Sequence, residues 1–204
     1  MNDNVLRPEL WAPRSSEDTK KVYADWADTY DADVLGSGYA TPHRIAHALT
    51  TVTNDDALIL DVGCGTGLAG MALHNAGFHH VDGIDLSPEM LQIAKDRAIY
   101  REAWLTQAGE LTDVMPGLYT VIVAAGVISL GAAPADTMEL CLDHLDKDGL
   151  LAMSFNDPTL DDGSYEQELQ KHLDAKTATQ IFREYGPHLP AKDMGSDVII
   201  LRKL

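Results

Sequence analysis

Apolar residues follow two rhythms along this chain. Short runs, ALILDV (57–62), VDGID (81–85), AWLTQA (103–108), YTVIVAA (119–125) and GLLAMSF (149–155), are apolar with little alternation. Such runs predict strands one to five of a sheet buried on both faces, as parallel strands are when helices cover them. Between them, apolar residues recur at helical spacing. Ser87-Pro88-Glu89 supplies an N-cap, a proline for the first helical position and an acid in the first turn, ahead of a face of Met90, Leu91, Ala94 and Ala98. Pro134 opens a segment with Met138, Cys141, Leu142 and Leu145 on one side, closed by Asp148-Gly149. Thr41-Pro42 starts another, with Ile45, Ala46 and Leu49 inward. Strands alternating with helices predict an α/β fold.

The two ends depart from this rhythm. After strand five the pattern predicts a helix around Tyr165–Leu173, then two strands, TQIFREYG (179–186) and DVIILRKL (197–204), joined by PHLPAKDMGS as a hairpin at the sheet's edge. Near the start, Val22, Tyr23, Trp26, Ala27 and Tyr30 line one side of a helix running from about Ser16, followed by a loop at Gly36–Gly38. This helix is expected to cover the strand ends. Residues 1–40 are therefore read as a helical cover and 41–204 as the main domain, one structural unit in a chain of 204 residues.

Composition narrows the partners. Hydrophobic residues make up 45% and charged residues 23%, values of an ordinary folded chain. A net charge of −17 repels polyanions, so neither nucleic acid nor an acidic membrane is expected as a partner; a small or cationic molecule fits better. No apolar run reaches the roughly 18–20 residues that span a bilayer, and MNDNVLRPEL lacks the basic and apolar regions of a signal peptide, so a cytoplasmic location is expected. Cys64 and Cys141 read as reduced thiols. His43 and His47 share helical spacing, but no cysteine or carboxylate cluster completes a site, and no metal is expected.

The densest chemistry lies in LILDVGCGTGLAG (58–70), with glycines at 63, 65, 67 and 70. Read from Gly65 it is G-x-G-x-x-G, the dinucleotide fingerprint; read from Asp61 it is D-x-G-x-G-x-G. It falls after strand one, where parallel sheets bind ligands, and glycines there let backbone approach a ligand closely. Asp85 closes strand two, 20 residues after Gly65, where an acid can accept from ribose hydroxyls. Nicotinamide dinucleotides and S-adenosylmethionine both carry an adenosine. Asp61 favours the second, because a carboxylate disfavours a pyrophosphate and attracts an ammonium and a sulfonium.

ILDVGCGTGLAG, VDGIDLSPEML and GELTD resemble successive motifs of the class I S-adenosylmethionine-dependent methyltransferases. WAPRSSEDTKKVYADWADTYD, GYATPHRIA and AIYREAWLTQAGELTD are similar to the methyltransferase-like family named after the Williams-Beuren syndrome chromosome region. The resemblance, over about residues 11–155, implies a single Rossmann-like domain with seven strands in the order 3-2-1-4-5-7-6, strand seven antiparallel, and helices on both faces. It implies S-adenosyl-L-methionine as methyl donor and S-adenosyl-L-homocysteine as product. Asp61, Gly63, Cys64 and Gly65 resemble the loop around the methionine part. Asp85 resembles the ribose acid, and Leu86 and Met90 the flanks of the adenine. Glu110 occupies the place where the family usually has an aspartate facing the adenine amine, with Leu111 next to it, and its longer side chain is a departure from that pattern. Ala125 and Gly126 resemble the segment beneath the sulfur, while Tyr23, Trp26 and Tyr30 match a Y-x-x-W-A-x-x-Y-D cover, where aromatic faces beside a sulfonium suit cation–π attraction. The three aromatics fit a plain packing stripe equally well.

After strand four, where related proteins tend to carry a histidine, this chain has GVISLGAAP, so Val127, Ile128, Ser129 and Leu130 offer no strong base. The main reading is transfer to an N, O or S nucleophile of a small molecule by in-line displacement, which needs positioning more than a base; the alternatives are cofactor binding without catalysis and, ranked below both, an NAD-dependent oxidoreductase using Gly65, Gly67 and Gly70. The catalytic residues are not legible at this stage.

Overall fold

The computed structural model describes residues 6, 8–111 and 113–204. Thr112 of the GELTD motif and most of the first seven residues lie outside that range. The central sheet has seven strands: β1 (Ile59–Val62), β2 (Val81–Asp85), β3 (Ala103–Leu105), β4 (Val121–Ala124), β5 (Leu150–Asn156), β6 (Ala178–Leu189) and β7 (Met194–Lys203). Their order is β3-β2-β1-β4-β5-β7-β6, with β7 antiparallel to both neighbours and the first five strands parallel. This is the Rossmann-like order that the motifs imply.

The near-continuous apolar runs are explained by two cores. Leu60, Ile122, Leu151, Met153 and Ile199 face one of them, and Ile59, Val121, Val123, Ala152 and Ile200 the other. Helices complete both layers: α1 (Ser16–Gly36), α2 (Thr41–Thr50), α3 (Leu68–Asn75), α4 (Pro88–Asp96), α5 (Thr137–Asp143), α6 (Asp157–Asp162) and α7 (Ser164–Asp174). Among the described residues no helix is long and apolar enough to cross a membrane.

Several boundaries differ from the sequence pattern. Helix α4 ends at Asp96, and Ala98 lies beyond it at φ +53°, so it terminates the apolar face instead of extending it. Pro134 sits in the turn before α5, which begins at Thr137. The PHLPAKDMGS segment is mostly strand: β6 runs on to Leu189, β7 resumes at Met194, and only the turn around Pro190–Lys192 separates them. Pro187 is tolerated because the ladder shifts register beside it, so its missing N–H breaks no regular rung. Arg44 of α2 then clamps the hairpin, donating to the carbonyls of Glu184 (2.6 Å), Ser196 (2.9 Å) and Pro187 (3.2 Å).

Helix α1 starts where its cap dictates, with Ser15 Oγ accepting from Asp18 N at 3.1 Å. It ends in a turn through Gly38 at φ +80°, so that Gly36 is its last residue. One side chain fixes it over the sheet: Asp31 accepts from Thr66 Oγ1 at 2.6 Å in the glycine loop and pairs with Arg97 after α4.

Candidate active site

A cavity of about 300 Å³ opens at the carboxyl ends of β1, β2 and β4, beneath α1. Of the residues singled out in the sequence, Tyr23, Tyr30, Gly63, Gly65, Asp85, Leu86, Met90, Glu110, Leu111, Ala125 and Gly126 line it. They come from five separate chain segments, gathered by the strand order.

The floor is the loop between β1 and α3. Gly63, Gly65 and Gly67 all have positive φ (+64°, +54° and +95°), and a Cβ on Gly65 would meet nothing within 4 Å. That bare backbone faces open space, as close approach by a ligand requires. Gly70 is different. A Cβ there would stand 2.5 Å from the Tyr100 ring, so its bareness serves packing. The G-x-G-x-x-G reading therefore joins glycines with separate duties.

Asp85 closes β2 with its carboxylate held on both sides: Oδ2 accepts from Gly65 N and Oδ1 from Ser87 N, each at 2.8 Å. Burial raises its pKa, opposed by these N–H groups. Ser87 also caps α4, with its Oγ accepting from Met90 N at 3.2 Å, so one turn orients both the acid and the apolar Met90. Glu110 is exposed at the mouth, with Leu111 buried beside it.

The structure places three of the expected residues away from the cavity wall. Asp61 is buried in β1; its Oδ2 accepts from Tyr100 Oη at 2.6 Å, and its Oδ1 has no partner among the described residues. Burial pushes its carboxyl up to about 7, with Tyr100 opposing and Asp85 adding. Cys64 turns its side chain toward Gly83, Leu91 and Ala94, where burial drives its pKa well above the thiol range. Trp26 is buried in α1, edge-on to Tyr30 at 4.7 Å, and donates its Nε1–H to Asp33 at 2.7 Å. It braces the two tyrosines that face the cavity, so packing and covering are divided among the three aromatics. Burial raises the pKa of both Tyr23 and Tyr30, so both phenols stay neutral.

Other lining residues went unread. Ser16, Thr19 and Lys20 reach the cavity from the first turns of α1. They lie seven, four and three positions before Tyr23, so helical spacing alone could have found them. Val127 and Ala132–Pro134 also line the cavity; they belong to the GVISLGAAP loop after β4, which the sequence marked only as lacking a strong base.

Residues 59–149, from β1 to the turn before β5, match the family described as Methyltransferase domain. The chain carries a methyltransferase domain. Human Methyltransferase-like protein 27 is 32% identical over 157 residues, 74% of this chain and 63% of that protein. The bovine 18S rRNA (guanine-N(7))-methyltransferase is 29% identical, covering 60% of this chain and 42% of that one. The Ubiquinone biosynthesis O-methyltransferase of Xylella fastidiosa (strain 9a5c) is 30% identical, covering 61% and 56%. The chain thus spans less than two thirds of each of these relatives. Among solved structures, magnesium protoporphyrin IX methyltransferase from Synechocystis PCC 6803 with bound SAM superposes with a TM-score of 0.66 at 16% identity, covering 94% of this chain and 100% of that one. The [4+2]-cyclase SpnF superposes with a TM-score of 0.72 at 15% identity, covering 94% and 97%. These likenesses establish the class I methyltransferase fold around the domain; a cyclase among them shows that the fold alone does not set the reaction.

Proposed function

We propose that this protein is an S-adenosylmethionine-dependent methyltransferase that methylates an N, O or S nucleophile of a small molecule. The observation that carries the reading is Asp85, anchored by Gly65 N and Ser87 N at the edge of a cavity floored by open glycine backbone. A carboxylate held in that way keeps lone pairs for ribose hydroxyls.

The residues present fit the methyl donor. Asp61 Oδ1, without a partner among the described residues, lies behind the cavity wall, and the carboxylate there would attract an ammonium group of the donor through space. Leu86, Met90 and Leu111 offer apolar flanks for a purine, and Tyr23 and Tyr30 offer aromatic faces for a sulfonium. When bound, the donor would supply an electrophilic methyl group, which the acceptor's lone pair would take as the C–S bond breaks and its electron pair is left on sulfur. The chain's own residues bind, orient and exclude water, with α1 as a cover over the domain of residues 41–204.

The acidic balance of −17 and a cavity of about 300 Å³ support a small acceptor over the RNA named for the bovine relative. Two free, buried cysteines support a reducing, cytoplasmic setting. The N-terminal motif and the 32% identity to Methyltransferase-like protein 27 support membership of the Williams-Beuren-region methyltransferase-like family. Titration calorimetry tests the reading. S-adenosylhomocysteine should bind, and Asp85→Ala should weaken it by roughly 10- to 100-fold, the worth of hydrogen bonds to a charged group. Saturable binding of NADH in its place would refute the reading.

A further inference from the structure

A second, smaller cavity of about 50 Å³ lies on the other side of Tyr23, Tyr30, Gly126 and Ala132, residues that line both spaces. Tyr39, Ser129, Asn156 and His188 contribute to its wall. At about 10–15 Å³ for each water-sized position, it admits the reacting end of a small molecule and no stretch of polymer. Tyr39 stands in the smaller cavity beside the shared wall: its hydroxyl is 2.8 Å from where a Cβ on Gly126 would be, and its ring meets the His188 ring edge-on at 5.2 Å.

A hydrogen-bond chain fixes the direction of His188. Arg44 can only donate, and its Nη1, which shares two protons among the carbonyls of Ser196 and Pro187 and the Ser196 hydroxyl, is 3.1 Å from Ser196 Oγ. The one other partner of Ser196 Oγ among the described residues is Thr41 Oγ1 at 3.1 Å; either hydroxyl can donate by geometry, and with Arg44 donating to Ser196, sending the serine proton to Thr41 leaves no hydroxyl proton idle. Thr41 then donates across 2.8 Å to His188 Nδ1. Thr41, Ser196 and His188 are all buried, where an idle proton is costly. The imidazole proton is thereby left on Nε2, on the ring of a residue that lines the small cavity.

We infer that the small cavity is the methyl-acceptor subsite, in which His188, held as the Nε2–H tautomer by Arg44, Ser196 and Thr41, donates a hydrogen bond to a carbonyl or carboxylate oxygen of the acceptor. This rests on the methyltransferase reading. Burial holds the His188 pKa down at about 4; Asp157 of α6 pulls it up and Arg44 of α2 pulls it down, while burial keeps the facing Tyr39 phenol neutral. His188 is accordingly a positioning residue that takes no proton, which suits an acceptor that arrives already nucleophilic beside the base-free loop Val127–Leu130.

Long-range proton–nitrogen NMR of labelled protein reads the tautomer directly. His188 should be neutral with its proton on Nε2 from pH 8 to about 5, and Thr41→Val, which removes the donor to Nδ1, should raise the fraction that carries the proton on Nδ1. Wild-type protein with the proton on Nδ1, or a charged imidazole at pH 7, overturns the inference. Benzoate and acetophenone, titrated into protein saturated with S-adenosylhomocysteine, serve as probes. At least one should bind and move the His188 Nε2–H signal, with affinity falling roughly 3- to 100-fold in His188→Leu and recovering in His188→Gln, whose amide N–H replaces Nε2–H. Failure of both probes to bind, binding that leaves His188 unmoved, or equal affinities in the leucine and glutamine variants refutes the subsite. Failure of S-adenosylhomocysteine itself to bind refutes the methyltransferase reading instead, and the tautomer measurement stands without it.

Discussion

Gly65 and Gly70 sit five residues apart in one motif, yet alanine at each should fail in opposite ways. At Gly70 the new Cβ would lie 2.5 Å from both Cζ and Oη of Tyr100, and Tyr100 has no room to yield: its hydroxyl donates to buried Asp61 at 2.6 Å. Forcing the ring aside costs roughly 1–3 kcal/mol of overpacking. Losing its bond to a buried carboxylate costs about 1.5–3 kcal/mol more. Gly70→Ala should therefore lower the Tm by roughly 5–20 °C for a chain of this size. At Gly65 the Cβ meets nothing within 4 Å, so only the φ of +54° is strained, worth about 1–2 kcal/mol. That methyl group stands in the space assigned to the ligand, and Gly65→Ala should weaken S-adenosylhomocysteine by about tenfold or more. Thermal unfolding with and without S-adenosylhomocysteine, paired with calorimetry, separates the two. A Gly70→Ala protein melting within a degree or two of wild type, or a Gly65→Ala protein of unchanged affinity, would refute the division of roles.

Burial lifts the Asp61 carboxyl from 3.8 to about 7, so the folded protein binds more protons than the unfolded chain across that interval, and this group's contribution to stability falls as pH rises from about 4 to 7 and levels off above. An ammonium-bearing ligand favours the carboxylate, so its binding should release protons below pH 7 and tighten as pH rises, measurable by calorimetry in two buffers of different ionisation enthalpy. Asp31→Asn removes the charge that joins α1 to Thr66 and Arg97, and should weaken S-adenosylhomocysteine by roughly 3- to 10-fold while leaving most of the stability, since the groups are partly exposed. Cys141, pushed up to about 12 by burial, should resist iodoacetamide at pH 7.5 until the protein unfolds, as followed by mass spectrometry.

The strand runs, the glycine loop and Asp85 were legible because each depends on local rules: apolar runs for strands buried on both faces, glycine for left-handed turns, an acid at a strand's end. Tyr23 and Tyr30 were legible through helical spacing, though their separation from Trp26 was not, since all three share a stripe and only packing decides which ring points inward. Asp61 was found by its place in a motif, but its partner Tyr100 lies 39 residues away and is brought to it by the turn after α4. The hairpin's length was misread because a proline and a glycine within a strand look like a loop until the partner strand and Arg44 supply the missing contacts. His188 gave no signal at all. It follows β6's proline in a segment without a motif, and its tautomer is set by Arg44, Thr41 and Ser196, residues more than 140 positions apart along the chain at the widest and adjacent only after folding. The sequence by itself determined the fold and the ligand-facing loop, whose physics is local. The tertiary structure alone decided which side chains share a cavity, because that depends on contacts between segments distant in the chain.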